Sequence, residues 1–142
     1  MANALFDPGR EGFLAGEIDW DTAVIKTALV RGYTFSAAHK FVSDATGAGA
    51  TLVATSAALA SKTVTGGVAD AADVTFTAVA SGASITSLLV FQSSAVTGGA
   101  DVAASAQRLI AYIDTATGLP VTPNGGDITV AWDNATNKIF KL

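Results

Sequence analysis

Ile85-Thr86-Ser87-Leu88-Leu89-Val90-Phe91-Gln92 holds four consecutive large apolar side chains, Leu88 to Phe91, and no charge. A strand turns successive side chains to opposite faces, so this run places apolar groups on both. It predicts a central strand covered on two sides. Just upstream, Val74-Thr75-Phe76-Thr77-Ala78-Val79 alternates, with Val74, Phe76 and Ala78 on one face, and Ser81-Gly82-Ala83 supplies a turn signal. The two segments read as paired strands of a core. No charged residue lies between Asp73 and Asp101, yet Thr75, Thr77, Ser84, Thr86 and Ser87 interrupt the span at strand-like intervals. A membrane-spanning helix needs about 20 predominantly apolar residues, so no membrane partner is expected.

The same texture continues outward. Val24 to Val30 reads as a long strand with Val24, Lys26 and Ala28 opposite Ile25, Thr27 and Leu29. Val53–Ser56 and Lys62–Thr65 are short Thr-rich candidates. Arg108 to Asp114 is another strand, with Leu109, Ala111 and Ile113 opposite Ile110 and Tyr112. Ile128–Trp132 and Lys138–Leu142 flank a turn at 133–137 and read as a hairpin. Two short helices stand in front of this series. Asp7-Pro8 supplies an N-cap and a first helical position, with Gly16 as the stop. Ser36 is placed to cap a second helix carrying Phe41 and Val42. The stretch 93–106 is a loop of small residues. The expected fold is all-β: an antiparallel β-sandwich, jelly-roll-like, with one or two short N-terminal helices. It forms a single domain over 1–142, in which 1–16 is an arm with its short helix and 17–142 the sandwich.

Composition narrows the function. Of 142 residues, 50% are hydrophobic and 14% charged, with one histidine, no cysteine and a net charge of −4. A chain of this length buries roughly two-thirds of its unfolded surface without a staple. Lack of cysteine removes disulfides, thiolate metal sites and thiol chemistry. The acidic balance lacks the basic footprint that neutralises phosphates, so nucleic acid is not an expected partner. The start carries neither a positive segment nor an apolar core of a signal peptide.

Each possible reactive constellation has a plainer reading. His39 has no second histidine with which to share a metal, and no Gly-x-Ser-x-Gly elbow accompanies it. Asp19/Asp21 and Asp70/Asp73 bring carboxylates together as calcium loops or glycosidase pairs do, but match no dedicated loop; aspartates that cap turns explain them. Thr46-Gly47-Ala48-Gly49-Ala50 lacks the lysine and hydroxyl residue of a phosphate cradle. Asn134-Ala135-Thr136 matches a glycosylation acceptor in a turn that favours Asn for its backbone. No catalytic residue, metal ligand or cofactor follows, and the chain is not expected to be an enzyme. Trp20, Phe76, Phe91 and Trp132 read as core. Phe6, Phe13 and Phe140, near the ends, serve either as core plugs or as anchors in a partner; with Leu14 they are the candidate partner contacts.

The opening Met1-Ala2-Asn3-Ala4-Leu5-Phe6-Asp7-Pro8-Gly9-Arg10-Glu11-Gly12-Phe13-Leu14-Ala15-Gly16-Glu17-Ile18-Asp19-Trp20-Asp21 resembles small proteins encoded among the structural genes of tailed bacteriophages. Ile25–Val30, Val68–Val79 and Gly125–Asp133 fit the same pattern, which is one of texture and position and contains no catalytic motif. The resemblance implies a virion component that decorates or cements the capsid. It would be made in the host cytoplasm and carried on the outer capsid surface, with the major capsid protein and copies of itself, as dimer or trimer, for partners. A neck, tail or adhesion module that binds another virion protein or a host glycan is the alternative.

Overall fold

Both covers that the Leu88–Phe91 run demands are present. The computed structural model describes residues 3–142. In chain order the elements are β1 (Ala4–Leu5), α1 (Asp7–Ala15), β2 (Val24–Arg31), α2 (Val42–Gly47), β3 (Thr51–Thr55), β4 (Val68–Ala69), β5 (Val74–Phe76), β6 (Ser87–Ser94), β7 (Arg108–Ile113), β8 (Ile128–Val130) and β9 (Phe140–Lys141). The protein is mostly β, built on a five-stranded antiparallel sheet of order β1-β7-β6-β2-β3 with two short helices. All eight residues of β6 are buried.

One face of that sheet packs Ile25, Leu29, Leu88, Val90, Ile110 and Ile113 with Trp20, Phe76, Ile85, Trp132 and Phe140. The covering residues come largely from two small ladders, β4–β9 and β5–β8, and the loops around them. The opposite face packs Ala28, Val30, Leu89, Phe91, Leu109 and Tyr112 with Phe6, Val42 and Ala45. There the cover is α2 and the segment carrying Tyr33 and Phe35, whose rings meet edge-on while Phe35 stacks on Tyr112. Trp20, Phe76, Phe91 and Trp132 are all buried, as their positions in the sequence suggest.

Several local expectations are corrected. The segment from Val74 does not pair with the one from Ile85: β5 pairs with β8, and β6 lies between β2 and β7. The chain leaves β5 at Ala78, whose φ is 49° and whose N–H donates to Asp127 Oδ1 at 2.8 Å. The expected hairpin of residues 128–142 also opens. Trp132 drops into the core, its indole Nε1 donating to Ala72 O at 3.1 Å and its backbone N–H to Asp73 Oδ1 at 2.9 Å. That fixes β8 against β5 and sends the following chain to pair as β9 with β4. Lys62–Thr65 supplies a single bridge, Thr63 to Asp70, rather than a strand.

On β7 a register shift opposite Val90 and Phe91 makes Ile110 an extra residue. Leu109 therefore shares a face with Tyr112, not with Ala111 and Ile113. Helix α1 starts one residue earlier than the capping reading: Phe6, not Asp7, is the cap residue, held by its N–H on Ile110 O. Asp7 sits in the first turn, where its charge suits the helix dipole, and pairs with Arg10 at 2.8 Å. Gly16 ends the helix as expected, at φ 73°. Ser36 lies in a turn; α2 begins at Val42, and the Asp44 carboxylate accepts from Lys40 N and Phe41 N, both at 2.9 Å.

Helix α1 lies directly on β7. A Cβ placed on Gly9 would stand 2.8 Å from Leu109 O, a backbone atom that cannot swing aside. Alanine gains about 1 kcal/mol of helix propensity over glycine, and overpacking costs about 1–3 kcal/mol, so the contact decides. Gly9→Ala is expected to lose about 1–2 kcal/mol in urea unfolding, whereas Gly47→Ala, with open space around its Cβ site, leaves stability unchanged or slightly raised.

Candidate functional site

Of the five large apolar side chains exposed among the described residues, Val96 and Val102 lie in the 93–106 loop and the other three gather beside α1. Leu14 is 90% exposed, and Leu142 and Val64 are also exposed. Beneath them Phe13 packs on Phe140 with ring centroids 5.7 Å apart, and Phe140 meets Trp20 edge-on at 5.2 Å. Two clefts share Phe13 and Leu142. One, of about 290 Å³, runs over Trp20, Val64 and Val68; the other, of about 360 Å³, runs past Leu14 between Arg10 and Lys141. The result is an apolar face with Asp19 and Asp21 on one margin and Arg10 and Lys141 on the other.

This face is held rigidly from behind. Arg108, buried on β7, donates from Nη2 to Pro8 O at 2.6 Å and forms an ion pair through Nη1 with Glu17. Gln92 on β6 accepts from Asp19 N at 3.1 Å and donates to Glu17 O at 3.0 Å. Gly12 leaves the room this requires, since a Cβ there would lie 2.8 Å from Arg108 Nη2. The guanidinium beside Glu17 holds its carboxyl below the ordinary value, first through the hydrogen bond and then through its charge.

Of the four candidate contacts, Phe6 is 0% exposed and plugs the second core, and Phe140 is buried in the first. Phe13 is half-buried. Leu14 alone keeps its whole side chain outside.

The acidic pairs are engaged in turns and ion pairs. Asp19 accepts from Thr22 N at 3.2 Å and Thr22 Oγ1 at 2.6 Å, bonds that lower its pKa, while its proximity raises that of Asp21. Asp70 pairs with Lys138 at 2.7 Å, and Asp73 holds Trp132 N. His39 sits in a turn rather than on a helix, with Nδ1 2.8 Å from Tyr33 Oη; burial pushes the Tyr33 phenol up to about 12. Among the described residues no group of three or more His, Asp or Glu is placed to hold a metal. Among the described residues no helix is long and apolar enough to cross a membrane. The 93–106 loop is tied back by Lys26 to Asp101 at 2.9 Å and Val102 N to Ser93 O at 2.9 Å.

Comparison with known protein families, with curated proteins and with solved structures finds no match to this chain. Sequence reading missed Arg108 and Gln92 as the groups that fix the face. Their one signal is position: Gln92 follows the apolar run Leu88–Phe91 and Arg108 precedes the apolar run Leu109–Ile113, and the two pair with each other.

Arg108→Met, which keeps the stem and removes the clamp, is expected to lose about 1.5–3 kcal/mol in guanidinium unfolding, as for hydrogen bonds to charged groups. Acid should weaken the fold. Glu17, Asp44, Asp70 and Asp101 all have lowered pKa values in the folded chain. Their contribution is complete above the unfolded carboxylate range near ~4 and is lost as pH falls through the lower folded values. Asp21, with a raised value, acts in the opposite sense. Thermal unfolding followed from neutral pH downward should show a falling midpoint, and Glu17→Gln should flatten part of that fall.

Proposed function

We propose that this chain is a structural component of a tailed-phage virion that decorates or cements the capsid, acting by surface burial rather than by catalysis. The observation that carries the proposal is Leu14, fully presented on a rigid helix over the Phe13–Trp20–Phe140 cluster. An apolar side chain so exposed and so firmly mounted suits insertion into a neighbouring protein. Burial across coat subunits would stabilise the shell by mass action. The occupant of the face is the major capsid protein, and copies of the chain associate with one another, as dimer or trimer. The sheet and the two ladders facing it across one core are consistent with a sandwich, and a jelly-roll-like path is part of this reading. The chain would be made in the host cytoplasm and retained on the outer capsid surface.

The alternative, a neck, tail or adhesion module, has less support in its glycan-binding form. Sugars stack on exposed aromatic faces, and here Trp20 and Trp132 are 4% and 7% exposed, with both indole N–H groups bonded to backbone carbonyls.

Mass spectrometry of purified particles of the phage encoding this chain should find it in many copies per virion; none or a handful would refute the cement role, and a low fixed number would move it to neck or tail. Burying one leucine is worth about 1.5–3 kcal/mol, so Leu14→Asp should lower particle occupancy by tenfold or more while circular dichroism and thermal unfolding stay unchanged.

A further inference from the structure

The five-stranded sheet and the β4–β9 ladder face each other across a core, and on one side the space between them is open. That side is bounded by β1, the last strand of the sheet, and by β9, the outer strand of the ladder. A cleft of about 280 Å³ lies between the two, reaching from residues 3–5 to residues 139–141 over Ala111 and Ile113 of β7. It shares Leu5, Arg10 and Lys141 with the cleft of about 360 Å³ that runs past Leu14. It shares Asn3, Ile113 and Ile139 with another, of about 600 Å³, that extends to Trp132 and Asp133. The three form one furrow along β9. Main-chain groups face it. Leu142 N donates to Gly67 O at 3.0 Å, and along an antiparallel ladder the peptide groups turn inward and outward by alternate residues. Lys141, opposite Val68, therefore turns its N–H and C=O away from β4, and among the described residues neither has a partner. On β1 the corresponding acceptor, Leu5 O, is covered by Arg10 Nη1 at 3.2 Å. The free edge is that of β9.

The charge along the furrow is opposite to that of the chain, whose net charge is −4. Three of the eight basic residues line it, Arg10, Lys138 and Lys141, against one of the twelve acidic ones, Asp133. Arg10 and Lys138 are held by Asp7 and Asp70, whereas Lys141 has no ion partner among the described residues. We propose that the furrow receives an extended segment of a partner protein, alternately apolar and acidic, which adds to β9 as a further strand. Its main chain bonds to Lys141 N–H and C=O, its apolar side chains go down onto Leu5, Ile113 and Ile139, and its carboxylates come to Lys141 and Arg10. The two bounding strands give the slot an extended shape, and the basic lining gives the guest its charge. A second copy of this chain does not meet that requirement, because none of its described strands carries an aspartate or a glutamate. The proposal rests on the docking of a partner at the face beside α1, to which it adds the kind of segment that docks, and not on the virion assignment.

Isothermal titration calorimetry of the purified chain tests this with the capped heptapeptide Glu-Val-Glu-Val-Glu-Val-Glu, its lysine counterpart, and the glutamate peptide N-methylated at alternate residues. The glutamate peptide should bind at submillimolar concentration, and the lysine peptide more weakly by about tenfold or more. The N-methylated peptide keeps charge and side chains but loses the main-chain donors of one edge, so it should not bind. Lys141 is exposed, so Lys141→Glu leaves the core intact. It exchanges an attraction for a repulsion and should weaken the glutamate peptide by about tenfold, with circular dichroism confirming that the variant is folded. A glutamate peptide that does not bind, or that binds the Lys141→Glu chain as well as the wild type, overturns the furrow and leaves the Leu14 face standing. Equal binding of the glutamate and lysine peptides overturns the acidic guest, and binding of the N-methylated peptide overturns strand addition. Self-association that Lys141→Glu abolishes in analytical ultracentrifugation makes the occupant a second copy and overturns the proposal. A Leu14→Asp chain that keeps full particle occupancy overturns the docking face itself, whatever the peptides do.

Discussion

The fold depends on covering both faces of β6. Its hydrogen-bonding edges are taken by β2 and β7, and its faces require two separate apolar layers. A chain with this strand at its centre cannot be a single sheet open to water on one side. At about 25 cal/mol per Å² of apolar surface, exposing either face would forfeit about 1.5–3 kcal/mol per large side chain. The small ladders, α2 and the Phe6 plug exist to meet that demand, although none of them is long enough to be stable alone.

Polar groups inside this arrangement are spent on joining layers. Thr27, fully buried on β2, donates from Oγ1 to Leu89 O at 3.0 Å and accepts nothing from solvent. Ser56 Oγ receives Thr27 N at 3.0 Å where the β2–β3 ladder gives out. Arg108 and Gln92 do the same on a larger scale, binding the loop after α1 to the sheet. The abundance of Ala, Ser, Thr and Gly thereby acquires a reason: small side chains let helix and strand backbones come close, and hydroxyls complete the hydrogen bonding of a β core.

The strands themselves were legible in the sequence wherever apolar residues ran or alternated: β2, β6 and β7 lie where Val24–Val30, Ile85–Gln92 and Arg108–Asp114 suggested. Partners were not. Proximity along the chain favours hairpins, yet β5 joins β8 and β4 joins β9, because Trp132 and Ala78 redirect the backbone through tertiary contacts that no local pattern encodes. The extra residue at Ile110 likewise inverts one strand's alternation without any mark in its neighbours. Of the candidate contacts, hydrophobicity identified four positions but could not separate Phe6, which the core consumes, from Leu14, which it leaves outside. That separation depends on which side of α1 meets β7, fixed by Gly9 and Gly12.

The apolar face beside α1 is assembled from Phe13 and Leu14, from the segment around Val64–Val68 and from Phe140–Leu142, stretches far apart in sequence. Pairings of such long separation form slowly, since a large loop must close before any contact rewards it. A chain still emerging from the ribosome, or one whose β9 has not yet met β4, has no such face. The face is thus a late product of folding, present only once the layers beneath it are in place.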